Sequence, residues 1–234
     1  MTVSTDRESS ATSESELRVL RDTKIVLGHW YALVLPNAMA LQDFSAMAAM
    51  VQVSLGHARV LDSLVRHSAD LPPTSAVTVV ARDQLASMVL LDRPPSDWTD
   101  FVTAVALGEW AVEKRIRTVS TDGGRVGDTC ARLLMETSFV LDYVRGWLRV
   151  LADSSTDRVH ECLEERVREL RTWYPSDASP ELREILGQVA EFAPTWTPGD
   201  VVADRPPWEA TRRRPEGSLV PVALANGIAD RELM

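Results

Sequence analysis

The residues of this chain best suited to chemistry are one histidine and two glutamates, His57, Glu109 and Glu136, each inside a long apolar-patterned segment. Imidazole and carboxylate are the ligands with which four-helix bundles hold a pair of iron or manganese ions. The set is a Glu from each of two helices and a Glu-x-x-His from each of the other two. Two divalent cations need several carboxylates for charge balance, and the i, i+3 spacing puts a carboxylate and an imidazole on one helix face. Three residues before His57 stands Ser54, not a glutamate, and three residues after Glu136 stands Phe139, with Val140 beyond. The first apolar segment offers His29, Trp30 and Tyr31, with no carboxylate between Lys24 and Pro36. His57 and Glu109 are therefore the two plausible ligands of a set that cannot neutralise two divalent ions. A buried Glu109 needs a partner and is expected to find it in His57 or an arginine. One ion held by His57, Glu109 and Glu136 is the further arrangement that these donor types allow.

Long helices must position these residues. Leu41–Leu64 has no Pro, a single Gly at Gly56, and an apolar middle running through Ala46, Met47, Ala48, Ala49, Met50, Val51 and Val53. A helix apolar on nearly every face is expected to be buried on nearly every face, so this segment is expected to be the central helix of a bundle. A first helix is expected from near Ser15 to the break at Pro36-Asn37, after a polar stretch over residues 1–14 read as disordered. Residues 77–91 are assigned to a helix despite the strand-like Val77-Thr78-Val79-Val80. Ser96 or Asp97 caps a helix over Trp98–Ser120. Gly127–Ala152 and Thr156–Trp173 follow, the latter with one narrow apolar stripe that places it on the outside of the bundle. A short helix spans Pro180–Phe192. Met39, Met47, Met50 and Met88 read as core filler, His29 as packing near a helix end, and His67 and His160 as surface residues. From Pro194 to Met234 the chain is rich in proline and is expected to be an extended tail. Its Trp196 and Trp208 are expected to anchor it on the bundle or a partner, and Arg212-Arg213-Arg214 to form a solvated basic patch. A docking site for an acidic partner or a CoA phosphate is the lesser reading of that patch. The fold class is all-α: one bundle over residues 15–193, with accessory helices and the tail.

Composition excludes some functions. The chain has 234 residues and a formal net charge of -9, which argues against nucleic acid as a partner. Only Lys24 and Lys114 are lysines. Cys130 and Cys162 are far apart and lie in no CxxC pattern, as expected of reduced thiols in a cytoplasmic protein. No apolar run suggests a membrane span, and the polar N-terminus does not read as a secretory signal.

Several segments carry a resemblance to a known family: Leu27-Gly28-His29, Leu55-Gly56-His57-Ala58-Arg59, and Val89-Leu90-Leu91-Asp92-Arg93-Pro94-Pro95-Ser96-Asp97-Trp98. Further on come Leu134–Trp147 and the segment ending in Trp173-Tyr174-Pro175. In order and spacing, from about Thr23 to Trp173, they resemble the phenylacetyl-CoA monooxygenase (epoxidase) subunits, which are ferritin-like helical proteins best known from phenylacetate catabolism. In that family one subunit is the di-iron catalyst, and a homologous subunit without the metal site is its structural partner. The chain looks more like the second. Laid over it, the first Glu-x-x-His of the catalytic subunit falls on Ser54 and His57, the next acidic ligand on Glu109, and the second Glu-x-x-His on Thr137 and Val140. The first-helix Glu falls near Trp30–Tyr31. Four of the six ligand positions lack their donor, so His57 and Glu109 are vestigial on this reading. The resemblance thus implies a non-catalytic subunit with no cofactor of its own, forming a heteromer with a di-iron catalytic subunit or self-associating. The alternative is a diverged ferritin-like oxygenase or mononuclear-metal enzyme acting on an acyl-CoA or other small aromatic substrate.

Overall fold

The computed structural model describes residues 3–68, 71–72, 85–121, 123–199, 207–209 and 211–216. These residues are helical but for short turns and one two-residue β-ladder. α1 (Val3–Val34) runs antiparallel to α2 (Leu41–Ser68) across a 3-10 turn at Leu35–Asn37. α3 (Trp98–Ser120) and α4 (Gly124–Ser154) form a second antiparallel pair, and α5 (Thr156–Arg171) and α6 (Pro180–Phe192) pack against α3 and α4. α1 begins at Val3, inside the polar stretch read as disordered and well before Ser15. No Pro or Gly occurs between Val3 and Leu27, so nothing in the backbone stops the helix there.

The central helix is α3, not α2. Every residue from Thr99 to Val112 is buried, because α3 packs on α1, α4, α5 and α6 at once. α2 buries only one face, through Met47, Met50, Ser54, His57, Leu61 and Leu64, at steps of three and four. Ala46, Ala48, Ala49, Val51 and Val53 are half-exposed. Small residues made α2 look apolar all round, yet alanine removes little area from water whichever way it points. Met39 lies outside the core as well, 66% exposed in the turn ahead of α2, whereas Met47, Met50 and Met88 are fully buried.

Helix ends follow local rules. The Asp97 carboxylate accepts the Asp100 N–H at 2.9 Å and caps α3. The α3–α4 turn uses Gly123 (φ 74°) and Gly124 (φ 59°), both in the left-handed region. The apolar stripe of α5 (Val159, Cys162, Leu163, Val167 and Leu170) is buried as its pattern predicts. Cys130 and Cys162 are buried and form no disulfide. His67 is exposed, and half-exposed His160 lies 3.4 Å from the Thr195 hydroxyl.

The helix expected over residues 77–91 is not there in its described part. Leu85–Met88 is irregular and only Val89–Leu91 makes a 3-10 turn; residues 77–84 lie outside the described residues. Side chains supply the partners that a helix would have supplied. Ala86 N–H donates to Asp22, the Leu85 carbonyl accepts from Arg212 Nε and Nη2, and the Ser87 carbonyl accepts from Arg214. Arg214 also bonds Asp92 through both Nη atoms. The arginine run is therefore not a solvated patch. All three guanidiniums are buried, and a short hairpin of β1 (Trp208–Glu209) and β2 (Arg214–Pro215) brings them back onto the bundle. Between them Arg213 takes φ 51°, strained for a residue with a Cβ, and lays its guanidinium 4.8 Å from the Trp173 ring centroid and beside Glu16.

Candidate functional site: a closed ion pair in the bundle core

Lys24, Gly28 and Tyr31 stand at i, i+4 and i+7 on α1, a spacing that puts them on one face. Gly28 lets α2 approach that face: a Cβ there would lie 3.2 Å from Leu55 Cδ2 and 3.5 Å from the Ser54 Cβ. Above and below it, Lys24 and Tyr31 reach across to Glu109 on α3. Lys24 Nζ donates to Glu109 Oε2 at 2.5 Å and the Tyr31 hydroxyl donates to Oε1 at 2.7 Å, with all three side chains buried. Burial, and then the adjacent Glu109 carboxylate, push the Tyr31 hydroxyl well above its ordinary pKa, so it stays a donor.

His57 does not meet Glu109. Its Nε2 lies 2.9 Å from Oε2 of Glu136 on α4, a carboxylate about half exposed at the surface. Burial lowers the His57 pKa from 6.5 to about 3, with the positive charges of Lys24 and Arg132 adding to it. The ring is neutral at ordinary pH. With a carboxylate at Nε2, that nitrogen carries the proton and donates, which leaves Nδ1 as an acceptor. Nδ1 and the Ser54 hydroxyl are both buried and have no hydrogen-bond partner among the described residues. Thr137 bonds back to the Leu133 carbonyl of its own helix, and Val140 is ordinary core.

The donor set does not fit a di-iron centre. Glu109 has both oxygens engaged by protein donors, His57 faces outward to Glu136, and the positions of Ser54, Thr137 and Val140 add no carboxylate or imidazole. The mononuclear set fails too, since His57 and Glu136 meet but Glu109 is committed to Lys24 and Tyr31. No group of three or more His, Cys, Asp or Glu among the described residues is arranged to hold a metal ion. The space a cation would need beside Glu109 already holds the Lys24 ammonium.

Lys24 and Tyr31, which define this site, are neither acids nor imidazoles and so fall outside a search for metal ligands. A signal was there. Lys24 is one of only two lysines, and it lies directly before Ile25-Val26-Leu27 in a segment otherwise patterned for the core. A lysine on a buried face implies a buried carboxylate opposite. The chain matches no protein-family model and no curated protein sequence.

Proposed function

We propose that the chain is a non-catalytic, ferritin-like structural subunit of a multicomponent di-iron oxygenase of the phenylacetyl-CoA monooxygenase type, binding and stabilising a separate catalytic subunit. The Lys24–Glu109–Tyr31 cluster carries this reading. The chain is all-helical, and the cluster closes its core with an internal ion pair at the position where the resemblance puts a metal ligand. A second feature supports a partner. Large apolar side chains stay exposed on two stretches: Leu33, Met39, Leu41 and Phe44 around the α1–α2 turn, and Met135, Phe139 and Val150 on α4. Exposed apolar side chains gathered in this way mark interaction surfaces more often than isolated ones do. No helix among the described residues is long and apolar enough to cross a membrane.

Co-expression with a di-iron catalytic subunit of the phenylacetyl-CoA monooxygenase type tests the reading. The expected result is one stable complex in which iron follows the other subunit. Two irons per copy of this chain, or two proteins that elute as independent monomers, would overturn it.

A further inference from the structure

In the core of this bundle a fully buried carboxylate, Glu109, meets a fully buried ammonium, Lys24, at 2.5 Å. A carboxylate held away from water requires a positive charge beside it. In a metal-holding bundle that charge arrives from solution; here it is attached to α1. The charge count fixes the valence. One carboxylate balances one positive charge, and the other group that bonds Glu109, the Tyr31 hydroxyl, is neutral. A divalent ion in place of the ammonium would leave net charge in the core. The lining also suits an ammonium chemically. Glu109 Oε2 accepts from the Lys24 ammonium, and the Tyr31 hydroxyl donates to the other carboxylate oxygen. A primary ammonium brings three N–H donors, of which the Glu109 bond uses one.

We infer that Lys24 is the resident cation of a site built for a primary ammonium, lined by Glu109 and Tyr31, and that a free alkylammonium enters it when the lysine side chain is cut back. The site keeps the bundle closed with no ion drawn from solution. This inference rests on the core geometry and not on the identity of any partner.

Lys24→Ala removes three carbons and a nitrogen, the same heavy atoms as n-propylammonium, so that ion is the complementary probe. The substitution leaves Glu109 buried without its counter-charge and is expected to lower Tm by about 10 °C. Millimolar n-propylammonium is expected to restore most of the loss along a saturable curve. Propan-1-ol, tetramethylammonium and sodium chloride at equal concentration are expected not to do so, and the wild-type chain is expected not to respond. Rescue should vanish in Lys24→Ala/Glu109→Gln, where the carboxylate is gone. Absence of saturable rescue, equal rescue by propan-1-ol, or rescue that survives Glu109→Gln would overturn the inference. So would a larger saturable gain with Mn²⁺ or Zn²⁺ than with n-propylammonium. If Lys24→Ala does not fold, Lys24→Met supplies the test: the double variant Lys24→Met/Glu109→Gln is expected to melt higher than Lys24→Met alone. A Lys24→Met chain as stable as wild type would overturn the inference by itself.

Discussion

Arg166 of α5 grips Asp100 of α3 with two parallel bonds, Nε to Oδ1 at 2.6 Å and Nη2 to Oδ2 at 2.8 Å, both side chains being buried. The remaining nitrogen, Nη1, reaches the carbonyls of Leu90 and Arg93 and the Glu169 carboxylate, and the guanidinium lies 5.5 Å from the Trp30 ring centroid. One side chain thus ties α5, the first turn of α3, the 85–92 segment and α1 together. Burial by itself would raise the Asp100 pKa, but the Arg166 bonds and the Ser96 N–H outweigh it and hold the carboxyl below its ordinary value.

Arg166→Met is therefore expected to cost about 3–5 kcal/mol, since it leaves a buried carboxylate whose strongest partner is gone. Asp100→Asn is expected to cost less, because an amide can still accept from Ser96 N–H and Arg166. In the double variant the two losses should overlap, with a coupling energy of at least about 2 kcal/mol. Urea denaturation of the four proteins measures it. Additive losses would mean that the bidentate pair contributes nothing of its own.

The C-terminal arginines should behave as structural residues. Arg214→Ala removes the donors to the Ser87 carbonyl and to Asp92 and is expected to cost about 2 kcal/mol. Arg214→Lys should recover little, because one ammonium cannot reproduce the fork. Arg183→Ala, on the exposed face of α6, is the matched control and is expected to stay within about 0.5 kcal/mol. Equal Tm values for Arg214→Ala and Arg183→Ala would return the run to solvent.

Much of the secondary structure could be read from the sequence because it is written locally. Asp97 caps α3 as its position predicts, Pro36 ends α1, and α6 runs from Pro180 to Phe192. Long-range facts were not written locally. Which helix lies at the centre depends on how many neighbours each one has, and the alanines of α2 imitate burial without producing it. The Leu85–Leu91 segment has helical residues, but Asp22 and Arg212 bind its backbone from distant positions, and no local pattern reveals that. The candidate site was half legible. His57 and Glu109 are both buried in the core as expected, while their partners Glu136, Lys24 and Tyr31 follow from helix registers that only packing sets.

Two glycines of α1 and α2 should respond in opposite ways. Gly28→Ala presses a methyl to 3.2 Å from Leu55 Cδ2 at the α1–α2 contact and is expected to destabilise by about 1–2 kcal/mol. Gly56 has open space where its Cβ would stand, so Gly56→Ala should stabilise by about 0.5–1 kcal/mol through helix propensity alone. Thermal melts of both variants decide the matter. If both lose stability, the outward face of α2 is covered by a second molecule in solution.

The neutrality of His57 gives stability a pH dependence of known sign. The folded ring has a pKa of about 3 against an ordinary 6.5, so between these values the unfolded chain binds a proton that the folded chain does not. The contribution of His57 is complete above pH 6.5 and is lost progressively as pH falls toward 3. Carboxylates titrate over the same range, so the readout is the difference between wild type and His57→Gln, whose amide can still donate to Glu136 and carries no charge. That difference is expected to be flat from pH 8 to 7 and then to turn against the wild type by about 1 kcal/mol per pH unit below 6. Urea midpoints at intervals from pH 8 to 4 measure it. A wild type that gains on the variant as pH falls would show a charged His57 in an ion pair with Glu136.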